Sequence, residues 1–456
     1  MAAFTQIVEQ ASDILWNYLL LFLLVGTGIF FTIKLHFVQL SSFADGVRHL
    51  FKGFSLHGKA ADKDGMSSFQ ALATAIAAQV GTGNITGCAT ALVSGGPGAL
   101  FWTWVSAFFG MATIYAEAVL AQTYRTTVDG QVTGGPAYYI RAAFKGKFGK
   151  FLAIFFSVAL ILALGFMGNM VQSNSIGDAF HNAFGVNRVV VGVVIAVLAA
   201  FIFLGGVKRI AAVTEKLVPL MALFYLFGAL TVVCVHWAAV PAAFAAIFRG
   251  AFGLQAAGGG VLGYGMARAI SWGFKRGAFS NEAGLGASVL VHCAANVEEP
   301  VQQGMWGIFE VFADTMVVCT LTALVVLTSG LVDLDTGAAL TGVEGSALVG
   351  QAFSTVFGAF GPQFIAVSVL LFAYSTTLGW SHYGTRAVVY LLGERAAAGY
   401  KLVFAAMVLV GAVMKLDLAW ALSDTFNGLM MLPNLVGVVG LSGVVVRETQ
   451  AYLKRK

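Results

Sequence analysis

The chain's 456 residues are 59% hydrophobic and 10% charged, the mean hydropathy is +0.85 and the formal charge is +5. The 26 basic and 21 acidic side chains are too few to coat a soluble body of this size, which excludes a water-soluble domain. Apolar runs of about 20 residues, the length that crosses a hydrocarbon core of about 30 Å, fill the sequence and strand-type alternation is lacking, so the class is all-α polytopic membrane protein.

In chain order, about eleven spans are predicted, at 14–33, 68–94, 98–122, 151–176, 189–206, 216–237, an irregular region within 252–296, then 303–330, 360–380, 400–414 and 418–446. The amino terminus lacks a basic leader region, so 14–33 reads as a retained span. Alternate loops differ in basic residues. Lys34, Arg48, Lys52, Lys59 and Lys63 follow the first span, and Arg125, Arg141, Lys145, Lys147 and Lys150 follow the third. Lys208, Arg209 and Lys216, then Arg386, Arg395 and Lys401, and finally Arg447 and Lys454 to Lys456 continue that side, against scattered Arg188, Arg249 and Lys415 on the other. The 331–359 segment holds Asp333, Asp335 and Glu344 without any Lys or Arg. Basic loops stay cytoplasmic, which predicts a multi-pass cell (inner) membrane protein with its amino terminus outside and its carboxyl terminus inside. The positive charge is then topological, and no nucleic-acid partner is expected. Residues 1–456 read as one transmembrane domain with a cytoplasmic tail at 447–456, and no Walker-type glycine loop is present. Cys88, Cys234, Cys293 and Cys319 lack metal-ligand spacing and read as apolar packing residues.

The second span contains Gln79-Val80-Gly81-Thr82-Gly83-Asn84-Ile85, three polar side chains clustered around two glycines. Glycine lets a helix unwind, and unwound backbone at membrane depth survives only where it lines a cavity or is buried in protein. Freed amides there attract a carboxylate and freed carbonyls coordinate Na⁺; the alternative is a packing motif bonded to neighbouring helices. A second break is placed at 277–284, within Lys275-Arg276-Gly277-Ala278-Phe279-Ser280-Asn281-Glu282-Ala283-Gly284-Leu285-Gly286, with Ser280 or Asn281 as a cap for the helix beyond. The competing reading is a plain cytoplasmic loop after a span at 252–273. Spacing favours the break. About 15 residues separate Gly83 from the next span and about 20 separate Gly284 from its own, whereas Gly258-Gly259-Gly260 lies farther away. The ten spans after the first then divide as five plus five.

Two further segments are polar. Phe372-Ala373-Tyr374-Ser375-Thr376-Thr377-Leu378-Gly379-Trp380 offers hydroxyls suited to a small alkali cation, and Asn169-Met170-Val171-Gln172-Ser173-Asn174 points to a polar cavity. Glu117, Gln122 and Asp314 read as structural. The histidines, His236, His292 and His382 among them, are isolated, so no metal cluster is expected.

The sequence resembles the alanine or glycine:cation symporter family, the sodium:alanine symporters. The likeness covers nearly the whole chain. It rests on Gln79 to Ile85, on Gly134-Gly135-Pro136-Ala137-Tyr138-Tyr139-Ile140, on Arg276 to Gly286, and on Asp314-Thr315 with Cys319-Thr320. The resemblance implies the amino acid–polyamine–organocation architecture: a 5+5 inverted repeat, 68–237 and 252–446, preceded by one extra helix at 14–33. It implies symport of alanine or glycine into the cell with Na⁺ as coupling ion and H⁺ as the alternative, no cofactor and no enzymatic activity. Carried over residue by residue, substrate would be held by Gln79, Gly81, Thr82, Gly83, Asn84, Gln172, Phe279 and Asn281, with Trp380 walling the pocket and Glu282 bracing the break. Sodium would lie among Ala77, Val80, Thr376 and Thr377. The expected partners are a small neutral amino acid, Na⁺ and the lipid bilayer, with the chain a monomer. A channel and an intramembrane enzyme are the rival classes. The former would need a continuous pore and the latter paired carboxylates, a Ser/His arrangement or a metal cluster, none of which the sequence offers.

Overall fold

The computed structural model describes residues 2–52, 66–128, 130–253, 261–414 and 416–455. Lys59, Lys63, the Gly258-Gly259-Gly260 cluster and Lys415 lie outside the described residues. Helices occupy each predicted span. Gln6–Lys34, Gly98–Thr123, Gly146–Phe184, Gly206–Val235, Pro300–Thr328, Gly345–Leu392 and Glu394–Val413 are long and apolar enough to cross a bilayer. Ala419–Gly440 and Ser442–Arg455 add an eighth if their 57° bend is one span. The expectation of eleven also counts Arg188–Phe203, only 16 residues long, and two spans split into half-helices, Ser68–Gln79 with Cys88–Gly95 and Val261–Asn281 with Val289–His292. Within the last predicted span, 418–446, the helix bends after Gly440, and an amphipathic helix, Ser442–Arg455, continues with Lys454 and Arg455 in its last turn.

The order of elements after the first helix repeats itself. Each half runs broken helix, long helix (Gly98–Thr123 or Pro300–Thr328), long helix with polar residues in its second half (Gly146–Phe184 or Gly361–Leu392), short helix (Arg188–Phe203 or Glu394–Val413), and a helix with an internal proline. Those prolines are Pro219 in Gly206–Val235 and Pro433 in Leu416–Gly440. Equivalent members pack on each other: Gly98–Thr123 on the first part of Pro300–Thr328, Asn169–Phe184 on Gly361–Leu392, and Arg188–Phe203 on Glu394–Val413. Such pairing is what a two-fold relation between halves produces.

Burial follows the logic of a lipid solvent. Val190, Val194, Val197 and Phe201 on one helix and Leu220, Leu223 and Phe227 on the next are exposed, whereas Glu117, Glu282, Glu310 and Asp314 are fully buried. The loops sort to two ends. One cavity, of about 470 Å³, is shared by Glu9, Asp13, Ser94, Asp178 and Glu344; another, of about 270 Å³, by Met66, Gln131, Lys208 and Arg386. The acidic segments therefore face one end and the basic loops the other. Unpredicted pieces are short: a hairpin pairing Thr126–Val128 with Gln131–Thr133, and helices Pro136–Ala143, Trp237–Ala251 and Gly345–Phe357.

Candidate functional site

The first broken helix starts on a reciprocal cap, Ser67 with Gln70, and ends at Gln79. Val80 departs from helix at φ −75° and ψ 88°, and the wider turns of Gly83–Gly87 lead into Cys88–Gly95. Side chains satisfy the freed backbone: the Gly81 amide donates to Asn84 Oδ1 at 2.9 Å and the Thr82 amide to Gln172 Oε1 at 3.1 Å. The carbonyls of Ala77 and Val80 turn to the helix Gly361–Leu392, where Thr376 Oγ1 lies 3.0 and 3.4 Å from them and Ser375 Oγ lies 3.2 Å from Ala77 O. Thr377 is not brought there; its hydroxyl donates to Ala373 O of its own helix, because successive helical residues point 100° apart. Ser375 is the second hydroxyl at this point. A β-carbon at Gly81 would stand 2.5 Å from Thr376 Oγ1 and 3.1 Å from Gln172 Oε1, so only glycine fits between them. The donor set (two carbonyls and two hydroxyls) suits a hard monovalent cation such as Na⁺.

The second break lies farther along than expected. Gly277 to Asn281 remain helical, and the irregular stretch is Glu282 to Ser288, with Glu282 at φ +56°, Gly284 at +86° and Gly286 at +74°. Ser280 and Asn281 stay in the helix because their side chains find partners outside it, Ser280 on Asp314 and Asn281 on Thr315. Neither caps the helix that resumes at Val289, although Asn281 Oδ1 accepts from the Ala283 amide. The plain-loop reading fails, since residues 273–295 are buried throughout. Outside elements brace the break. Glu117 accepts from the Gly284 amide at 3.2 Å, Asn434 Nδ2 bonds both Glu117 and Gly284 O, and Trp380 Nε1 donates to Glu282 Oε1 at 2.6 Å. Tyr139, in the Gly134–Ile140 segment, donates to Asn434 Oδ1, which ties that motif to the same brace.

The first break meets the helix end that leads into the second. A β-carbon on Gly83 would lie 3.2 Å from Phe279 Cδ1 and from the Ser280 backbone. Asp314 joins them: it accepts from Asn84 Nδ2 at 2.7 Å, from Ser280 Oγ at 2.9 Å and from Thr315 Oγ1 at 2.8 Å. Gln79 instead points to Glu310, donating at 3.0 Å. Phe279 lies edge-on to Trp380, 6.1 Å between centroids, and 4.8 Å from Trp420. Above this aromatic layer Arg276 stacks 4.3 Å from Trp420, and Arg276 and Lys275 both pair with Asp424, at 2.6 and 3.0 Å. These three charges floor the 470 Å³ vestibule. Lys275 and Arg276 thus sit beside the break without facing it. Thr82 Oγ1 and Gln79 Oε1, both buried, have no hydrogen-bond partner.

Residues 1–456 match the sodium:alanine symporter family throughout. The chain belongs to that family. Among its relatives are the sodium/alanine symporter AgcS of Methanococcus maripaludis, 42% identical over 98% of this chain and 97% of that protein. The probable sodium/glutamine symporter GlnT of Bacillus subtilis is 38% identical over 99% and 91%. The putative sodium/proton-dependent alanine carrier protein YrbD of the same organism is 38% identical over 98% and 92%. Among solved structures, MhsT in complex with L-phenylalanine superposes with a TM-score of 0.58 at 12% identity, covering 86% of this chain and 99% of that one. The Eremococcus coleocola manganese transporter gives 0.53 at 16%, covering 84% and 81%. This family member therefore has the LeuT-like transporter fold, and it is a transporter rather than an enzyme.

Sequence reasoning did not single out Trp420, Asp424 or Glu310. Asp424 and Glu310 carried a signal, being carboxylates inside predicted spans, where an ionisable group is costly unless paired. Trp420 carried none, as aromatic residues are common near span ends.

Proposed function

We propose that this protein carries alanine or glycine into the cell together with Na⁺ by alternating access. The observation that carries the reading is the convergence of Ala77 O, Val80 O, Thr376 Oγ1 and Ser375 Oγ beside a break whose amides are held by movable side-chain oxygens. Gln172 Oε1 stands on the Thr82 amide as one oxygen of a substrate carboxylate would, and the start of the half-helix favours that negative charge. Gly81, Gly83 and Asn84 complete this side, Gln79 borders it, and Phe279 and Asn281 close the other. A pocket walled by Phe279 and Trp380 would favour a hydrogen or methyl side chain and disfavour larger ones. Na⁺ binds one conformation more tightly than the other, which is what coupling requires. The amino terminus faces outside, so the Arg276–Asp424 pair closes the outer vestibule. The names of the relatives include alanine and glutamine as well as a proton, so H⁺ is the alternative coupling ion. A channel is the weaker reading, because residues of both breaks are buried in a closed centre.

Asn281→Ala removes an amide that bonds Thr315 Oγ1 and the Ala283 amide. It is expected to weaken sodium-dependent alanine binding by about tenfold or more, about 1.4 kcal/mol or above. Equilibrium binding of labelled alanine to the purified protein reads this directly, and an unchanged affinity would remove the second break from the substrate site.

A further inference from the structure

Below the substrate region lies a second polar cluster. His292, Gln303 and Glu310 are each fully buried. His292 Nε2 is 2.9 Å from Glu310 Oε1, and His292 Nδ1 is 2.7 Å from Gln303 Oε1. Both ring nitrogens therefore face oxygens, an arrangement that calls for N–H on each and so for imidazolium. Gln303 Nε2 has no partner. If its amide turns over, it donates to a bare Nδ1, and the same cage then holds neutral imidazole with Nε2–H on Glu310. The two arrangements differ by one proton and need no backbone movement.

The cluster also sits where the transporter must move. His292 ends the short half-helix after the second break, and Glu310 accepts from Gln79 at the end of the first half-helix. The carbonyls of His292 and Ala295 are held by Gln122, and Arg125 also donates to Ala295 O. Met66, just before the first broken helix, pairs its backbone with Ala294 and Asn296. Ala294, two residues beyond His292, lines the 270 Å³ cavity at the basic end. Parting Met66 from Ala294 would open the pair to that end.

We propose that His292 and Glu310 form a proton-binding site, filled and emptied from the basic-loop end as the Val289–His292 half-helix moves. This rests on the alternating-access reading above. In the closed form the proton on Nδ1 stays. When the half-helix moves, that proton passes to water and the Gln303 amide turns to donate to Nδ1, leaving Nε2–H on the Glu310 carboxylate. The ionisable groups around the pair are Glu117 from Gly98–Thr123, Glu282 from the break, Asp314 from the turn after Glu310 and Tyr383 from Gly361–Leu392.

The test is a proton count on the purified full chain in nanodiscs, in weak buffer with a pH-indicator dye, on adding alanine in NaCl. Wild type should exchange about one proton per bound alanine, and its alanine affinity should change about tenfold between pH 5.5 and 8. His292→Gln and Glu310→Gln should bind alanine with the pH dependence and the proton exchange both lost; Gln303→Glu, which fixes an acceptor on Nδ1, should shift the pH profile upward. A variant that has lost its monodisperse elution is replaced by Gln303→Glu as the deciding one. Alanine binding without proton exchange in wild type, or an unaltered pH profile in these variants, would overturn the proposal. If wild type binds no alanine, the substrate reading fails instead, and the same count on adding NaCl alone decides the proton site.

Discussion

Thr376→Ala should raise the Na⁺ concentration that half-saturates alanine uptake by about 10- to 100-fold, the loss of about 1.5–3 kcal/mol expected when one polar ligand of a charged group is removed. The hydroxyl lies within 3.4 Å of both carbonyls that the break leaves free of helix, so removing it takes one oxygen from a set of four. Thr376→Ser keeps the oxygen and should stay near wild type. Ser375→Ala should have a smaller effect, because the Ser375 hydroxyl reaches Ala77 O but not Val80 O. Thr377→Ala should leave the sodium response unchanged, because its hydroxyl serves Ala373. Sodium titrations of uptake in proteoliposomes separate these variants, and a Thr376→Ala response equal to wild type would put the cation elsewhere.

Asp314→Asn should reduce uptake about 10- to 100-fold. The carboxylate accepts from Asn84, Ser280 and Thr315, and through them ties the first break to the helix end before the second. An amide presents a donor where three donors already converge, leaving at least one buried group without a partner at a cost of about 1–3 kcal/mol. The loss also moves Asn84 off the Gly81 amide, which accounts for an effect on transport greater than on stability. Size-exclusion profiles and alanine binding measured together distinguish misfolding from a damaged site. Uptake above half of wild type in Asp314→Asn would show that the breaks do not depend on this carboxylate.

Much of this was legible in the sequence because lipid makes polarity conspicuous. A Gln, a Thr and an Asn around two glycines have no inexpensive explanation inside an apolar run, and that segment is indeed where the helix breaks. The second break was found but placed some five residues early. The expected break spans Gly277 to Gly284, yet the backbone stays helical through Gly277 and the left-handed turns fall at Glu282, Gly284 and Gly286. Composition cannot separate a glycine that packs inside a helix from one that turns it. The Ser375–Thr377 run shows a different limit: three adjacent hydroxyls are equivalent on paper, and only helix rotation selects Ser375 and Thr376. The brace of Glu117, Asn434 and Tyr139 was hidden because its members come from three distant segments.

The central claim is sodium-driven accumulation of a small amino acid, and the most direct measurement is uptake of radiolabelled alanine by proteoliposomes holding this protein alone. With an inward sodium gradient, alanine should rise above its equilibrium level, saturate, and be displaced by unlabelled alanine and glycine more strongly than by large neutral amino acids. Potassium in place of sodium should leave only equilibration. Uptake that ignores the sodium gradient and never exceeds equilibrium would contradict the account.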